Sequence, residues 1–228
     1  MAEQRRRSSN AVVAAGADAV LAAAAALAGD SSGYAEAERR WRTAWETGGI
    51  EWPSADEAMV AFAPVLLEAG DPARAEKLAR EGLDTMQRLG DVWVLNGPPF
   101  WIAVAIARQG RIDEGAVFAE KLDEDYRWMG VGDHVSRGVA LSTVHAARGK
   151  RDDALSLARE TADDARSTDS NLLRALALEH LADLLEPTDP RAAIETLEEV
   201  AGIDETWGNA VGAARVAGKL ERLGRVTS

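Results

Sequence analysis

Apolar residues recur along this chain at helical spacing, and the amphipathic runs they form come in pairs separated by short polar marks. The marks are Ala28-Gly29-Asp30, Ala69-Gly70-Asp71, Gln109-Gly110-Arg111 and Arg148-Gly149-Lys150, with Pro187-Thr188-Asp189-Pro190 as a fifth in which Thr replaces Gly. From Gly29 through Gly70, Gly110 and Gly149 to Thr188 the steps are 41, 40, 39 and 39 residues, the regularity of an internal repeat. Glycine suits the left-handed residue that ends a helix. Asp71-Pro72 and Asp189-Pro190 place a capping acceptor and a fixed-φ proline where the next helix starts. Each unit is therefore predicted to be a helical hairpin. Second helices are expected over 34–47, 72–89, 112–129, 151–167 and 189–206, and a final helix over 208–223 caps the array.

Aligned on these marks, the position four before reads Ala25, Leu66, Ile106, His145 and Leu184, and the position eight before reads Leu21, Phe62, Ile102, Leu141 and His180. Both columns are predicted to lie in the core. Five after the mark stand Ala75, Gly115, Ala154 and Ala193, small residues that let the two helices of a hairpin approach closely. Hairpins that cannot bury their apolar faces alone must stack. The expected fold is all-α, a right-handed α-solenoid of about five helical hairpins plus a C-terminal capping helix, with the first helices lining a concave surface. On those helices the columns 2, 5, 9 and 12 before the mark share one variable stripe: Glu68, Arg108 and Glu186; Val65 and Asp183; Trp101 and Glu179; Pro98 and Arg137. That stripe is the candidate groove.

Composition agrees with helices. Of 228 residues 46% are apolar and 45 are Ala, against three Phe and two Tyr, a balance that favours close-packed helices over strands. The absence of Cys excludes disulfide scaffolds, thiolate zinc and iron–sulfur sites and cysteine nucleophiles, and three His leave little for other metals. No cofactor is expected. A net charge of −12 repels phosphate backbones, so direct nucleic-acid binding is not expected either. Residues 1–9 are read as a disordered arm and residues 10–228 as one repeat domain. Arg5-Arg6-Arg7 followed by the Ala-rich stretch from Ala11 to Ala28 has the outline of a secretory signal, but Gly16 and Asp18 interrupt the apolar run. Because Leu21, Ala25 and Gly29 also fall on the repeat columns, the segment is read as the first helix. With no stretch near the ~20 apolar residues of a membrane span, the chain is expected to be cytoplasmic, without a membrane partner.

The segments Gly70-Asp71-Pro72…Ala75…Leu78-Ala79, Gly110-Arg111…Gly115…Phe118-Ala119 and Gly149-Lys150…Ala154…Leu157-Ala158 resemble the tetratricopeptide-like (TPR-like) superfamily. The step is longer than the roughly 34 residues of a standard repeat. That longer step, the Arg/Ala-rich composition and the ending Ala213-Ala214-Arg215…Leu220-Glu221-Arg222-Leu223-Gly224 resemble the C-terminal helical-repeat regions of actinobacterial LuxR-type and cyclase-associated ATP-binding regulators. The resemblance implies a protein–protein interaction module in bacterial signalling or transcriptional regulation. Two parts of such regulators have no counterpart in this sequence: a Gly-rich loop ending in Gly-Lys-Ser/Thr and a basic helix-turn-helix. A regulatory role would be exercised through a partner.

Chemistry-bearing residues are few. Arginines on the second helices alternate with carboxylates, as in Glu36-Ala37-Glu38-Arg39-Arg40 and Arg74…Glu76-Lys77…Arg80-Glu81, the pattern of solvated faces with one-turn ion pairs. His145 and His180 occupy core columns on consecutive first helices, as buried neutral imidazoles or as the centre of a pocket. No Glu-x-x-His or His-x-x-x-His spacing accompanies them, and no nucleophile elbow or paired-carboxylate motif occurs. Neither catalysis nor a bound metal is expected. Of seven Trp, Trp41 and Trp45 are one turn apart and suit hairpin packing. Asn96-Gly97-Pro98-Pro99 breaks the third unit between Trp93 and Trp101, as a binding feature or an awkward buried loop. The expected function is a non-catalytic scaffold whose groove takes a peptide or helix of a protein partner. Trp101 would be the aromatic anchor, Arg108 and Arg137 would read carboxylates, and Glu179 and Asp183 share the stripe. The alternative is a small-molecule sensor or catalyst with a pocket around His145 and His180.

Overall fold

A computed structural model describes residues 16–48, 62–89, 99–124 and 130–227. The basic arm, the start of the Ala11 to Ala28 stretch, and Trp52, Trp93, Pro98 and Trp128 lie outside the described residues. Among the described residues there are eleven helices and no strand, so the chain is all-α as expected. The helices are α1 over 16–27, α2 Ser31–Gly48, α3 Ala63–Glu68, α4 Pro72–Leu89, α5 Phe100–Arg108, α6 Ile112–Glu124, α7 Val131–Ala147, α8 Arg151–Arg166, α9 Asn171–Leu185, α10 Pro190–Trp207 and α11 Ala210–Thr227.

The turns follow from local chemistry. Gly29, Gly70, Gly110 and Gly149 all adopt φ between 73° and 81°, where a Cβ would be strained. In that conformation the next N–H reaches back five residues, as from Asp30 to the Ala25 carbonyl at 2.8 Å and from Lys150 to the His145 carbonyl at 2.9 Å, and satisfies a helix end. Asp71 and Asp189 cap α4 and α10 by accepting from the backbone of Arg74 and Ala192, each at 3.0 Å.

Helices pack in consecutive pairs, α3 on α4, α5 on α6, α7 on α8 and α9 on α10, and each pair packs on the next. Small residues make the approach possible: a Cβ on Gly115 would lie 2.8 Å from the Ala103 carbonyl oxygen. Phe62, Leu66, Ile102, Ile106 and Leu141 are buried as the columns require, Ala25, His145, His180 and Leu184 are half-buried, and Leu21 is 54% exposed. Among the described residues no earlier hairpin covers that face of α1. On the outer helices and the turns that lead into them, charges assigned to solvated faces tie hairpin to hairpin, through Arg74 to Glu38, Arg42 to Glu81 at 2.9 Å, Arg111 to Glu76 at 2.7 Å and Arg166 to Glu199 at 2.7 Å.

The inner helices carry the main departure from a purely local repeat. α3 touches α5, α5 touches α7, α7 touches α9, and α9 touches α3 again. Four inner helices thus close on themselves. No helix among the described residues is long and apolar enough to cross a membrane.

Candidate functional site

Closure of the inner helices gathers part of the variable stripe. Glu68 ends α3, Arg108 ends α5, and Glu179 and Asp183 lie along α9 with Glu186 at its end. α11 lies beside α9 and presents Arg215, Lys219 and Arg222 on one face, four and three residues apart.

Glu179 is 2% exposed and accepts from Arg215 through Nε at 2.8 Å and Nη2 at 2.7 Å, with Lys219 Nζ at 3.0 Å. Lys219 also pairs with Asp183, and Arg222 with Glu186 at 3.0 Å. In the pairs 179–215, 183–219 and 186–222 the cation follows its carboxylate by 36 residues, a single repeat-like offset read across two helices. Arg215 reaches further. Its Nη2 also donates to Oε2 of Glu68 at 2.7 Å and its Nη1 to the Glu68 carbonyl. One guanidinium therefore joins α3, α9 and α11.

Asn209 completes the joint. Its Oδ1 accepts from the Gly212 N–H at 3.0 Å, capping α11, while its Nδ2 donates to Asp204 at 2.8 Å and to Glu68 at 3.3 Å. Oε1 of Glu68 and Oδ2 of Asp204 are buried without a hydrogen-bond partner among the described residues. Burial pushes the Glu68 carboxyl above its ordinary range despite Arg215, and burial likewise raises Asp204 and Asp183. Burial also acts to raise Glu179, but the hydrogen bonds and charge of Arg215, with Lys219 beyond, outweigh it and hold this carboxyl at about 2.

His180 is neutral in this setting: desolvation, reinforced by Arg108 and Lys219, lowers it to about 3. Its Nε2 lies 2.7 Å from Ser142 Oγ, which is itself 2.7 Å from the Gly138 carbonyl oxygen. Ser142 is fully buried, so the pair is a core hydrogen bond between α9 and α7 and does not present a nucleophile to solvent. His145 lies elsewhere. It lines a cleft of about 280 Å³ between α6, α7 and α8 together with Arg137, Arg148 and Lys150, the carboxylates Glu120 and Asp123, and apolar residues such as Leu141. Its Nδ1 is buried without a hydrogen-bond partner, with Asp153 3.8 Å away. His180 does not line that cleft, which corrects the expectation of one pocket around both histidines.

The remaining expected site residues separate in the same way. Arg108, Glu179 and Asp183 share the acidic joint; Arg108 donates to the Leu67 carbonyl at 3.2 Å and its charge acts on all three carboxylates, Glu68 included. Arg137 is not there: it pairs with Asp123 at 2.5 Å in the His145 cleft. Trp101 is 3% exposed inside the apolar core, which corrects its assignment as an anchor facing a groove. An indole of that size is covered once the inner helices close. Sequence reasoning missed Arg215, Lys219, Asn209 and Asp204. The constant offset of 36 could have paired the first two with α9, but nothing local pairs Arg215 with Glu68.

Among the described residues no group of three or more acidic or histidine side chains is placed to hold a metal ion. No protein-family model matches the chain, and no curated protein matches it in sequence.

Proposed function

We propose that this chain is a non-catalytic, TPR-like scaffold, a right-handed solenoid of about five helical hairpins that engages a protein or peptide partner along its inner stripe. The likeness to actinobacterial regulators makes signalling or transcriptional control in the cytoplasm the natural setting for such a partner. The observation that carries this reading is the stripe itself, where Glu68, Glu179, Asp183 and Glu186 hold a cationic helix in register. Aligned carboxylates on a rigid helical wall are a means of reading charge on a partner.

The reading is tested by placing a photo-crosslinking residue at Arg108, at Asp183 and, as a control on a second helix, at Arg159, then exposing each full-length variant to extract from the native host. Partner adducts from the first two positions and not from the third are expected. Adducts confined to Arg159, or none from the inner positions, would sink it.

A second reading keeps one observation of its own, the unpartnered His145 Nδ1 in a cleft where Arg137 pairs with Asp123 and Arg148 with Glu120. Such a cleft, of mixed charge with one free imidazole nitrogen, suits a small polar molecule. Thermal-shift titration with phosphate and short carboxylates, compared with a His145→Ala variant, decides it; identical responses of the two proteins exclude the site.

A further inference from the structure

The acidic stripe is occupied by part of the same chain, and the manner of occupation says what it selects. Along α9 the carboxylates of Glu179, Asp183 and Glu186 follow one another at four and three residues, and Arg215, Lys219 and Arg222 of α11 answer in the same order. α11 has two unlike faces. Val216 and Leu223 are buried in an apolar cluster with Val200 and Ile203, whereas the cationic face runs from the buried joint out to Arg222, which is 56% exposed. A turn at Gly208 and Asn209 joins α11 to α10, with Gly208 left-handed at φ 80°.

We propose that α11 is a built-in occupant of an acidic helix-binding stripe, and that the partner is a helix with Arg or Lys at i, i+4 and i+7 that binds by taking its place. This rests on the scaffold reading and names the chemistry of its partner. Complementary charge in register is the first support. The second is what α11 leaves unmet: a single Nη2 of Arg215 serves both Glu68 and Glu179, and Oε1 of the fully buried Glu68 has no partner. A competing helix whose first cation is set to give Glu68 and Glu179 a nitrogen each would meet what α11 leaves unmet. The tether explains why exchange must be competitive. A segment joined by a short turn acts at an effective concentration on the order of millimolar, so a free helix gains the stripe only where α11 is weakened or the newcomer binds more tightly.

The test uses the full-length chain and, as probe, a fluorescein-labelled peptide with the sequence of residues 208–227. Wild type should show no saturable binding below about 100 μM, because its own helix excludes the probe. The double variant Arg215→Ala/Lys219→Ala, whose tethered helix has lost its inner cations, should bind the probe at least about tenfold more tightly than wild type does. A probe with Glu at the three basic positions should not bind. If the double variant is unfolded by circular dichroism, Lys219→Ala replaces it, since Arg215 then still joins Glu68 and Glu179; a gain of about threefold is expected. Equal affinity of wild type and folded variant, or equal binding of the basic and Glu-substituted probes, overturns the proposal. That failure is distinguishable from failure of the scaffold reading, which shows instead as inner-face adducts missing from the Arg215→Ala/Lys219→Ala background too, where α11 no longer excludes a partner.

Discussion

Arg215 and Glu68 stand 147 positions apart in the chain and meet side chain to side chain at 2.7 Å. Glu68 ends α3 and Glu179, the other partner of Arg215, lies on α9, so this guanidinium fastens together the two inner helices at which the ring closes. The planar fork of arginine suits such double duty, whereas an ammonium would concentrate its charge at one point. Burial makes the joint unforgiving, because removing one charge leaves its partner desolvated and uncompensated.

Glu179→Gln is therefore expected to lower stability by about 2–4 kcal/mol, and Arg215→Met by a similar amount. Glu68→Gln should cost less than about 1 kcal/mol, because burial already disfavours its charge and Arg215 keeps Glu179. Urea denaturation midpoints at pH 7 compare the three. A larger loss from Glu68→Gln than from Glu179→Gln would reverse the order assigned to the two carboxylates.

Acid should destabilise the fold through His180. Its folded value of about 3 lies below the ordinary 6.5, so between these the unfolded chain binds more protons and stability rises with pH. One site supplies at most about 1.4 kcal/mol per pH unit in that window. His180→Gln should remove this slope between pH 4.5 and 6.5. Glu68, raised by burial, works in the opposite sense, and Glu179, held at about 2, adds its own acid lability below pH 4.5. Subtracting the variant's stability profile from that of wild type cancels both. Parallel profiles would show that His180 is not buried as a neutral group.

Trp101→Ala should behave as a core deletion, with a loss of about 3–5 kcal/mol from burial and cavity together. Partner capture per folded molecule should not change. Melting unaffected by the substitution would place the indole at the surface after all.

Close helix approach is tested at the small residues. Gly138→Ala would set a Cβ 2.0 Å from Thr161 Oγ1, so a loss of about 1–3 kcal/mol is expected, partly relieved by adding Thr161→Ala. Leu in place of either Ala154 or Ala165 should cost a similar amount, because both are fully buried on α8. Alignment on the repeat marks distinguishes Ala154 alone, yet Ala165 lies in the apolar core as well. Circular dichroism melts of these four variants and of Thr161→Ala alone suffice. Additive losses in the Gly138/Thr161 pair would mean that the two positions do not touch.

Much of the site was legible piecewise. Glu68, Arg108, Glu179 and Asp183 were legible as one stripe because a constant offset from each turn places residues on one face of successive helices. Trp101 and Arg137 share those columns yet lie apart, since a column fixes direction around its own helix and not what the next helix covers. The pairing of His180 with Ser142 was illegible for the same reason: it depends on how far α9 slides along α7.

What the chain encodes on its own is local. Gly29, Gly70, Gly110 and Gly149 stop helices because only glycine enters the left-handed region without strain, Asp71 and Asp189 start the next ones, and apolar period with abundant Ala sets which faces pack. Closure of α9 onto α3, the burial of Trp101 and the meeting of Arg215 with Glu68 belong to the tertiary structure. α9 meets α3 only through the contacts of α3 with α5, α5 with α7 and α7 with α9, each set by its own side-chain packing, so their meeting is the sum of every interface between them. No residue carries that sum, so it appears only when the whole array is assembled.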